Sequence, residues 1–333
     1  MAFISAELAL IGQRSVGKLS LLTLESGEVQ EIAGLPEMLK DGSLSAGLFD
    51  IHLAHDFAQS RQVYLLYAVG TKEASTLALA RATLDEHQLT NLEVLFEATP
   101  RLANKWHFGG RMVQVGTHLY FSTGDGYDHK DLAQDLSAHS GKILRLNLDG
   151  SVPADNPFVN VKGAQPEIWS YGVRNPQGMA VHPKTGDIWF NDHGPQGGDE
   201  INIATAGTNF GWPVITYGEE YGGGPIGNGI THKDGMAQPL YYWVPSIAPS
   251  GMTFYSGGAF PAWQGSAFSG ALILTHINRV DVTTGPDRVM HEERLLDLDD
   301  KNWRVRFVEE GPDGYLYFGV DQDGKVMRLV PVE

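Results

Sequence analysis

One short pattern recurs along the chain: a polar turn followed by an apolar run rich in Tyr, Trp, Leu and Ile. Six copies are legible, at 6–12 (AELALIG), 61–68 (RQVYLLYA), 116–125 (GTHLYFSTGD), 185–192 (TGDIWFND), 270–276 (GALILTH) and 313–321 (DGYLYFGVD). A repeat of roughly 55 residues has room for a sheet of about four strands and its loops. Further strand-like runs fall between the copies, such as NLEVLFEA at 91–98 and GKILRLNL at 141–148. Helix signals are scarce, because 40 Gly and 17 Pro are scattered through the 333 residues and interrupt helical periodicity. A parallel α/β fold needs long amphipathic helices between its strands, and none is legible. Evenly spaced short strands predict an all-β fold, and six sheet-sized units predict a six-bladed β-propeller occupying residues 1–333 as a single domain.

Charge narrows the partners. With 24 basic and 40 acidic residues the formal net charge is −16, which repels nucleic acid and anionic membrane surfaces. A neutral substrate fits. The chain has no Cys, which excludes disulfides, thiolate metal sites and a cysteine nucleophile. No run approaches the roughly 18 apolar residues of a transmembrane helix. The opening MAFISAELALIGQR alternates like a strand up to Gly12 and carries no basic leader, so it does not read as a secretory signal.

Several familiar motifs fail on context. Gly222-x-Gly224-x-x-Gly227 matches a dinucleotide fingerprint in spacing, but it contains Pro225 and no helix follows. TGDGYD at 123–128 lacks the spacing and terminal Glu of an EF-hand loop. His52 and His55 have no helix to align them and read as ordinary loop or strand-end histidines.

Four stretches remain. In WHFGGR, 106–111, His107 precedes two glycines and a strand; a histidine there can act as a general base near neutral pH, although a lone histidine is more often structural. In YGVRNPQGMAVHP, 171–183, Arg174 and Asn175 form a polar turn whose charge is permanent, though a solvated Arg is the default. In NWRVRF, 302–307, Arg304 and Arg306 lie two apart and share a strand face. They repel unless something anionic lies between them, either a ligand or a surface ladder with acids. In NDHGPQGGDEIN, 191–202, a strand opens into a stiff acidic turn. That is either a surface loop or a place where carbonyl oxygens are offered to a cation.

Taken together, the chain resembles the soluble quinoprotein glucose and aldose sugar dehydrogenases and the sorbosone dehydrogenases. The resemblance rests on WHFGGR, GKILRLNLDGSVPADNPF, PEIWSYGVRNPQGMAVHP, DHGPQGGDEIN, GTNFGWPVITYG, PLYYWVPSIAPSGMTFYSGGAFPAW and GPDGYLY, in that order over nearly the full length. It implies a six-bladed propeller that uses pyrroloquinoline quinone (PQQ), a flat ortho-quinone with three carboxylates, and calcium. By motif, Arg174 and Asn175 would contact the quinone, and Arg304 and Arg306 would grip its carboxylates by fork-shaped hydrogen bonds. His107 would take the proton from the anomeric hydroxyl of an aldose while hydride passes to the quinone, giving a lactone. Asp199 is expected to orient His107 or raise its basicity. The carbonyls of Gly194 and Pro195 would bind a calcium that polarises the quinone, with Asp192, Asp199 and Glu200 adding negative potential. Glu220, in TYGEEY at 216–221, is the candidate ligand of a second, structural calcium.

The resemblance also implies a periplasmic or secreted enzyme that passes electrons to an acceptor the sequence does not name. Four positions depart from the family pattern: Ser45, Ile273 and Phe307 stand where Gln, Lys and Asp are usual, and Trp106 where some members have a small polar or acidic residue. Ser45 and Ile273 are the features favouring an alternative, a quinone-free propeller acting as a binding module or a calcium-dependent lactonase. Such a hydrolase would need side-chain carboxylate ligands around its metal.

Overall fold

The structure, a computed structural model, describes every residue except 41–45, 104–105, 283–290, 297, 322–323 and 333. Ser45 therefore lies outside the described residues. The chain divides into two compact units, Met1–Asn175 and Pro176–Glu333.

The first unit holds three antiparallel sheets in chain order. The first sheet contains β1 (Ala2–Phe3), β2 (Leu8–Gln13), β3 (Lys18–Thr23) and β4 (Val29–Ile32). The second contains β5 (Leu48–Leu53), β6 (Gln62–Gly70), β7 (Ser75–Asp85) and β8 (Gln88–Glu97). The third contains β9 (Gly109–Val115), β10 (His118–Thr123), β11 (Lys142–Asn147) and β12 (Ile168–Tyr171).

The second unit repeats the plan. Its sheets are β13 (Pro176–Val181), β14 (Ile188–Asp192), β15 (Asp199–Ile203) and β16 (Tyr241–Trp243); then β17 (Pro249–Phe254), β18 (Ala267–Ala271), β19 (Ile277–Asp281) and β20 (His291–Leu295); then β21 (Val305–Glu310), β22 (Leu316–Val320) and β23 (Lys325–Arg328). Six antiparallel meanders of this kind are the blades of a six-bladed β-propeller, as the repeats predict. Among the described residues, helix is confined to the single turn Phe57–Ser60 and three short 3-10 segments.

The six repeat copies fall on β2, β6, β10, β14, β18 and β22, the second strand of each sheet. Three of these second strands, β14, β18 and β22, are buried along their whole length, so both of their faces are covered. One copy was misplaced. GALILTH was expected to be strand over 270–276, yet β18 ends at Ala271 and the chain turns through 272–276. An apolar run with no turn residue in it cannot mark its own end.

Neighbouring sheets within each unit pack face to face. Leu66 and Leu79 of the second sheet join Phe121 and Leu144 of the third in one core, and Trp189 and Ile201 join Phe254 and Ala267 in another. Each large apolar side chain removed from water in this way contributes about 1.5–3 kcal/mol.

Candidate active site

In the first unit the site residues gather at strand ends of the third sheet. His107 sits just before β9 with φ of 60°, a left-handed conformation uncommon for a side-chain-bearing residue. The two glycines after it explain how the chain can enter the strand there. A Cβ at Gly109 would lie 2.7 Å from the Thr123 carbonyl carbon, and one at Gly124 would lie 2.0 Å from the His107 oxygen. The entrance to β9 is thus pressed against the exit of β10, which only glycine permits.

That exit carries Asp125. His107 Nδ1 and Asp125 Oδ1 are 2.7 Å apart, and the Asp125 side chain is 1% exposed. An ionised carboxylate only accepts, so Nδ1 carries the hydrogen and donates it, leaving Nε2 as the basic nitrogen. Burial pulls the His107 pKa below its ordinary value; the Asp125 hydrogen bond opposes this, and Arg174 reinforces it. Burial also works against ionised Asp125, but the hydrogen bond from His107 and the charge of Arg174 outweigh it and hold the carboxyl below the usual range.

Arg174 and Asn175 follow β12 and are both buried. The Asp125 N–H donates to the Arg174 carbonyl at 2.8 Å. The Gly109 N–H donates to Asn175 Oδ1 at 3.1 Å. Four residues from three motifs therefore form one connected set: His107, Asp125, Arg174 and Asn175. Lys142, at the start of β11, donates to the carbonyls of Leu132, Ala133 and Ser140 and holds the adjoining connection in place.

In the second unit, the stretch 193–198 is the connection from β14 to β15. It is folded around Asp199. One carboxylate oxygen accepts from the Gly194 N–H at 2.9 Å; the other accepts from Ser246 Oγ at 2.6 Å and from the N–H groups of Ile247 and Ala248, both at 2.8 Å. Burial raises the Asp199 pKa even so, against these hydrogen bonds. The carboxylate bonded to His107 is thus Asp125, while the hydrogen bonds of Asp199, expected to act on His107, run to the turn containing Gly194 and Pro195 and to residues 246–248. The contact with Asp125 is a product of tertiary pairing, since Asp125 reaches His107 only because β9 and β10 are neighbours.

The turn is tight. A Cβ on Gly194 would meet the oxygens of Gly197 and Gly198 at 2.2 and 2.4 Å. Gln196 and Glu219 exchange backbone hydrogen bonds of 3.0 and 3.1 Å, stitching TYGEEY to this turn. Glu220 in that segment donates its N–H to the Gly224 carbonyl at 3.0 Å. Three acids adjoin the turn. Asp192 and Glu200 face each other across β14 and β15, and burial, with the charges of Asp192 and Asp199, pushes Glu200 up to about 8 against the hydrogen bond from Asn202. A cation at the turn would relieve that repulsion. No cluster of three or more His, Asp or Glu able to hold a metal occurs among the described residues. Main-chain oxygens backed by acidic potential are a donor set that suits calcium.

At the entrance of β21, Arg306 forms a fork with Asp321, Nε to Oδ1 at 3.0 Å and Nη2 to Oδ2 at 2.6 Å. Arg304 Nε approaches the same carboxylate at 3.8 Å. The anion between the two arginines is Asp321, which follows β22. Phe307, where an acid is usual, packs instead over Gly319, whose missing Cβ would lie 2.1 Å from the ring. Ile273 is 58% exposed in the turn after β18. A guanidinium as exposed as that of Arg304 suits a carboxylate ligand.

Asp125 and Asp321 were missed from sequence. Each lies within two residues of the end of an apolar second strand, in STGDG and FGVDQ, and that placement was the available signal.

The fold is a β-propeller, and its relatives make the chain an oxidoreductase of that fold. A family described as Glucose / Sorbosone dehydrogenase matches residues 1–328, and the chain belongs to that family. It is 39% identical over 327 residues to "Aldose sugar dehydrogenase YliI" of Escherichia coli, covering 93% of this chain and 86% of that one. It is 31% identical over 395 residues to "Quinoprotein glucose dehydrogenase B" of Acinetobacter calcoaceticus, covering 95% of this chain and 81% of the relative. A crystal structure of a glucose dehydrogenase superposes with a TM-score of 0.92 at 40% identity, covering 100% of this chain and 95% of the other. No helix among the described residues is long and apolar enough to cross a membrane.

Proposed function

We propose that this chain is a quinoprotein aldose sugar dehydrogenase, using PQQ and calcium to oxidise the anomeric carbon of an aldose to the lactone. The observation that carries this reading is the 2.7 Å pair of His107 and Asp125, in a chain whose relatives include a protein named as a quinoprotein glucose dehydrogenase. When bound, PQQ supplies the hydride acceptor, and calcium polarises its carbonyl as a Lewis acid.

The protein's own part is proton transfer and positioning. Burial and the Arg174 charge keep the His107 imidazole neutral and ready to accept. Its Nε2 takes the proton of the anomeric hydroxyl, and Asp125 then stabilises the imidazolium through Nδ1–H. Arg174, Asn175, Arg304 and Arg306 are the residues that would bind the cofactor's polar groups. The carbonyls of Gly194 and Pro195 would bind the calcium, and Glu220 a second one. The lactone leaves as product, and electrons pass to an external acceptor. The family resemblance sets this chemistry in the periplasm or outside the cell.

The test is reconstitution. Protein mixed with PQQ and calcium should show saturable, calcium-dependent PQQ binding by calorimetry and gain dye-linked oxidation of aldoses. His107→Ala should lose turnover while retaining PQQ binding. A wild-type protein that neither binds PQQ nor oxidises any aldose would overturn the proposal.

A further inference from the structure

Trp106, the residue before His107, leaves 46% of its surface open to solvent. Among the described residues of the Met1–Asn175 unit, no other aromatic side chain is a large exposed hydrophobic. The ring is nevertheless held in place. It meets Tyr127 edge-on, with centroids 4.8 Å apart and planes at 84°, and Tyr127 in turn meets the His107 ring at 5.0 Å and 75°. The Tyr127 N–H donates to Asp125 Oδ1 at 2.8 Å, the same oxygen that holds His107 Nδ1. His107 and Tyr127 both adopt left-handed backbone, with φ of 60° and 66°. Conformations of that kind persist where surrounding structure over-determines them, often at ligand sites. The exposed indole, the tyrosine and the base are therefore one braced aromatic assembly, with its outermost ring turned to solvent.

We propose that Trp106 is the platform on which the pyranose ring of the aldose lies while its anomeric hydroxyl addresses Nε2 of His107; this deepens, and rests on, the dehydrogenase reading above. An indole face carries negative quadrupolar potential and is broad and apolar. A pyranose face made of axial C–H bonds is its complement, being apolar with slightly positive hydrogens. A sugar whose hydroxyls are all equatorial offers such a face on either side of the ring, whereas an axial hydroxyl interrupts one of them. Trp106 thereby selects glucose-like pyranoses over epimers with an axial hydroxyl on the stacked face. A small polar or acidic residue at this position would select by hydrogen bonding instead.

The experiment uses the full chain and two probes. The first is 1,5-anhydroglucitol, a glucose ring without the anomeric hydroxyl, whose binding is read by calorimetry without turnover. The second is glucose oxidation by protein reconstituted with PQQ and calcium. Trp106→Ala should weaken 1,5-anhydroglucitol binding about tenfold and raise KM for glucose by a similar factor. Trp106→Phe, which keeps an aromatic edge against Tyr127, should fall between the two. The acid limb of the pH–kcat profile should stay where it is in both variants, because the His107–Asp125 pair is untouched; a merely structural role would move it.

Unchanged anhydroglucitol binding in Trp106→Ala, or an acid limb that moves with KM, overturns the platform. If wild type oxidises aldoses and Trp106→Ala does so with the same KM, the platform falls and the dehydrogenase stands. If the sugar analogue binds through Trp106 but no aldose is oxidised after PQQ and calcium are added, the dehydrogenase reading falls and the platform stands. A wild-type protein that does neither sinks both.

Discussion

His107 and Asp125 are 18 residues apart in the chain, and their side chains are joined at 2.7 Å. The carboxylate fixes which imidazole nitrogen is basic. Asp125→Asn should lower kcat about a hundredfold, because an amide can donate to Nδ1 and favour the wrong tautomer. His107→Ala should cost about a thousandfold. Calorimetry with PQQ should show both variants still binding, which separates a lost base from a lost cofactor.

Acid should switch the enzyme off below the ordinary imidazole range. The folded-state pKa of His107 lies below 6.5 because burial disfavours the charged ring. The base is active when neutral, so kcat falls as pH drops through that depressed value. The stability linkage has the same sign. The folded state holds this proton less tightly than the unfolded chain, so the contribution is present above 6.5 and is lost as pH falls through the folded value. Since Asp125 raises the His107 pKa, Asp125→Asn should move the acid limb of residual activity to lower pH.

Asp199 holds three backbone N–H groups and one hydroxyl with a single carboxylate. Asp199→Ala would leave those donors buried without their acceptor, at about 1–3 kcal/mol each. Urea unfolding should show a loss of about 3 kcal/mol or more, and calcium affinity should fall with it as the Gly194–Pro195 turn loosens. Asp199→Asn, keeping one acceptor oxygen, should lose less. An unaltered unfolding midpoint in Asp199→Ala would contradict the structural role.

The two arginines on Asp321 should behave differently. Arg306 is forked to Asp321 at 2.6–3.0 Å, whereas Arg304 is 38% exposed and approaches it at 3.8 Å. Arg304→Ala should weaken PQQ binding about tenfold with little change in unfolding midpoint, since half-exposed ion pairs contribute under about 1 kcal/mol. Arg306→Ala should reduce both, because it also strips Asp321 of its fork. Calorimetry paired with thermal melts separates the two effects.

The repeating architecture could be read from the chain because strand alternation and turn chemistry are local. LYFGV in β22 and IWFND in β14 declare a strand buried on both faces without reference to any other residue. The conformational demands of WHFGGR and of the Gly194–Pro195 turn were legible for the same reason: a glycine's freedom and a proline's restriction belong to the residue itself.

Partnership was decided elsewhere. TGDGYD read as a failed EF-hand, yet its Asp125 bonds the His107 ring. Asp199, expected to act on His107, accepts hydrogen bonds within the turn it stands in. The acid sought beside Arg306 came from Asp321 across a strand pair, not from position 307. A carboxylate's role depends on which donors lie within about 3 Å of it. That distance is set by strand register between segments far apart in sequence, which no local pattern encodes.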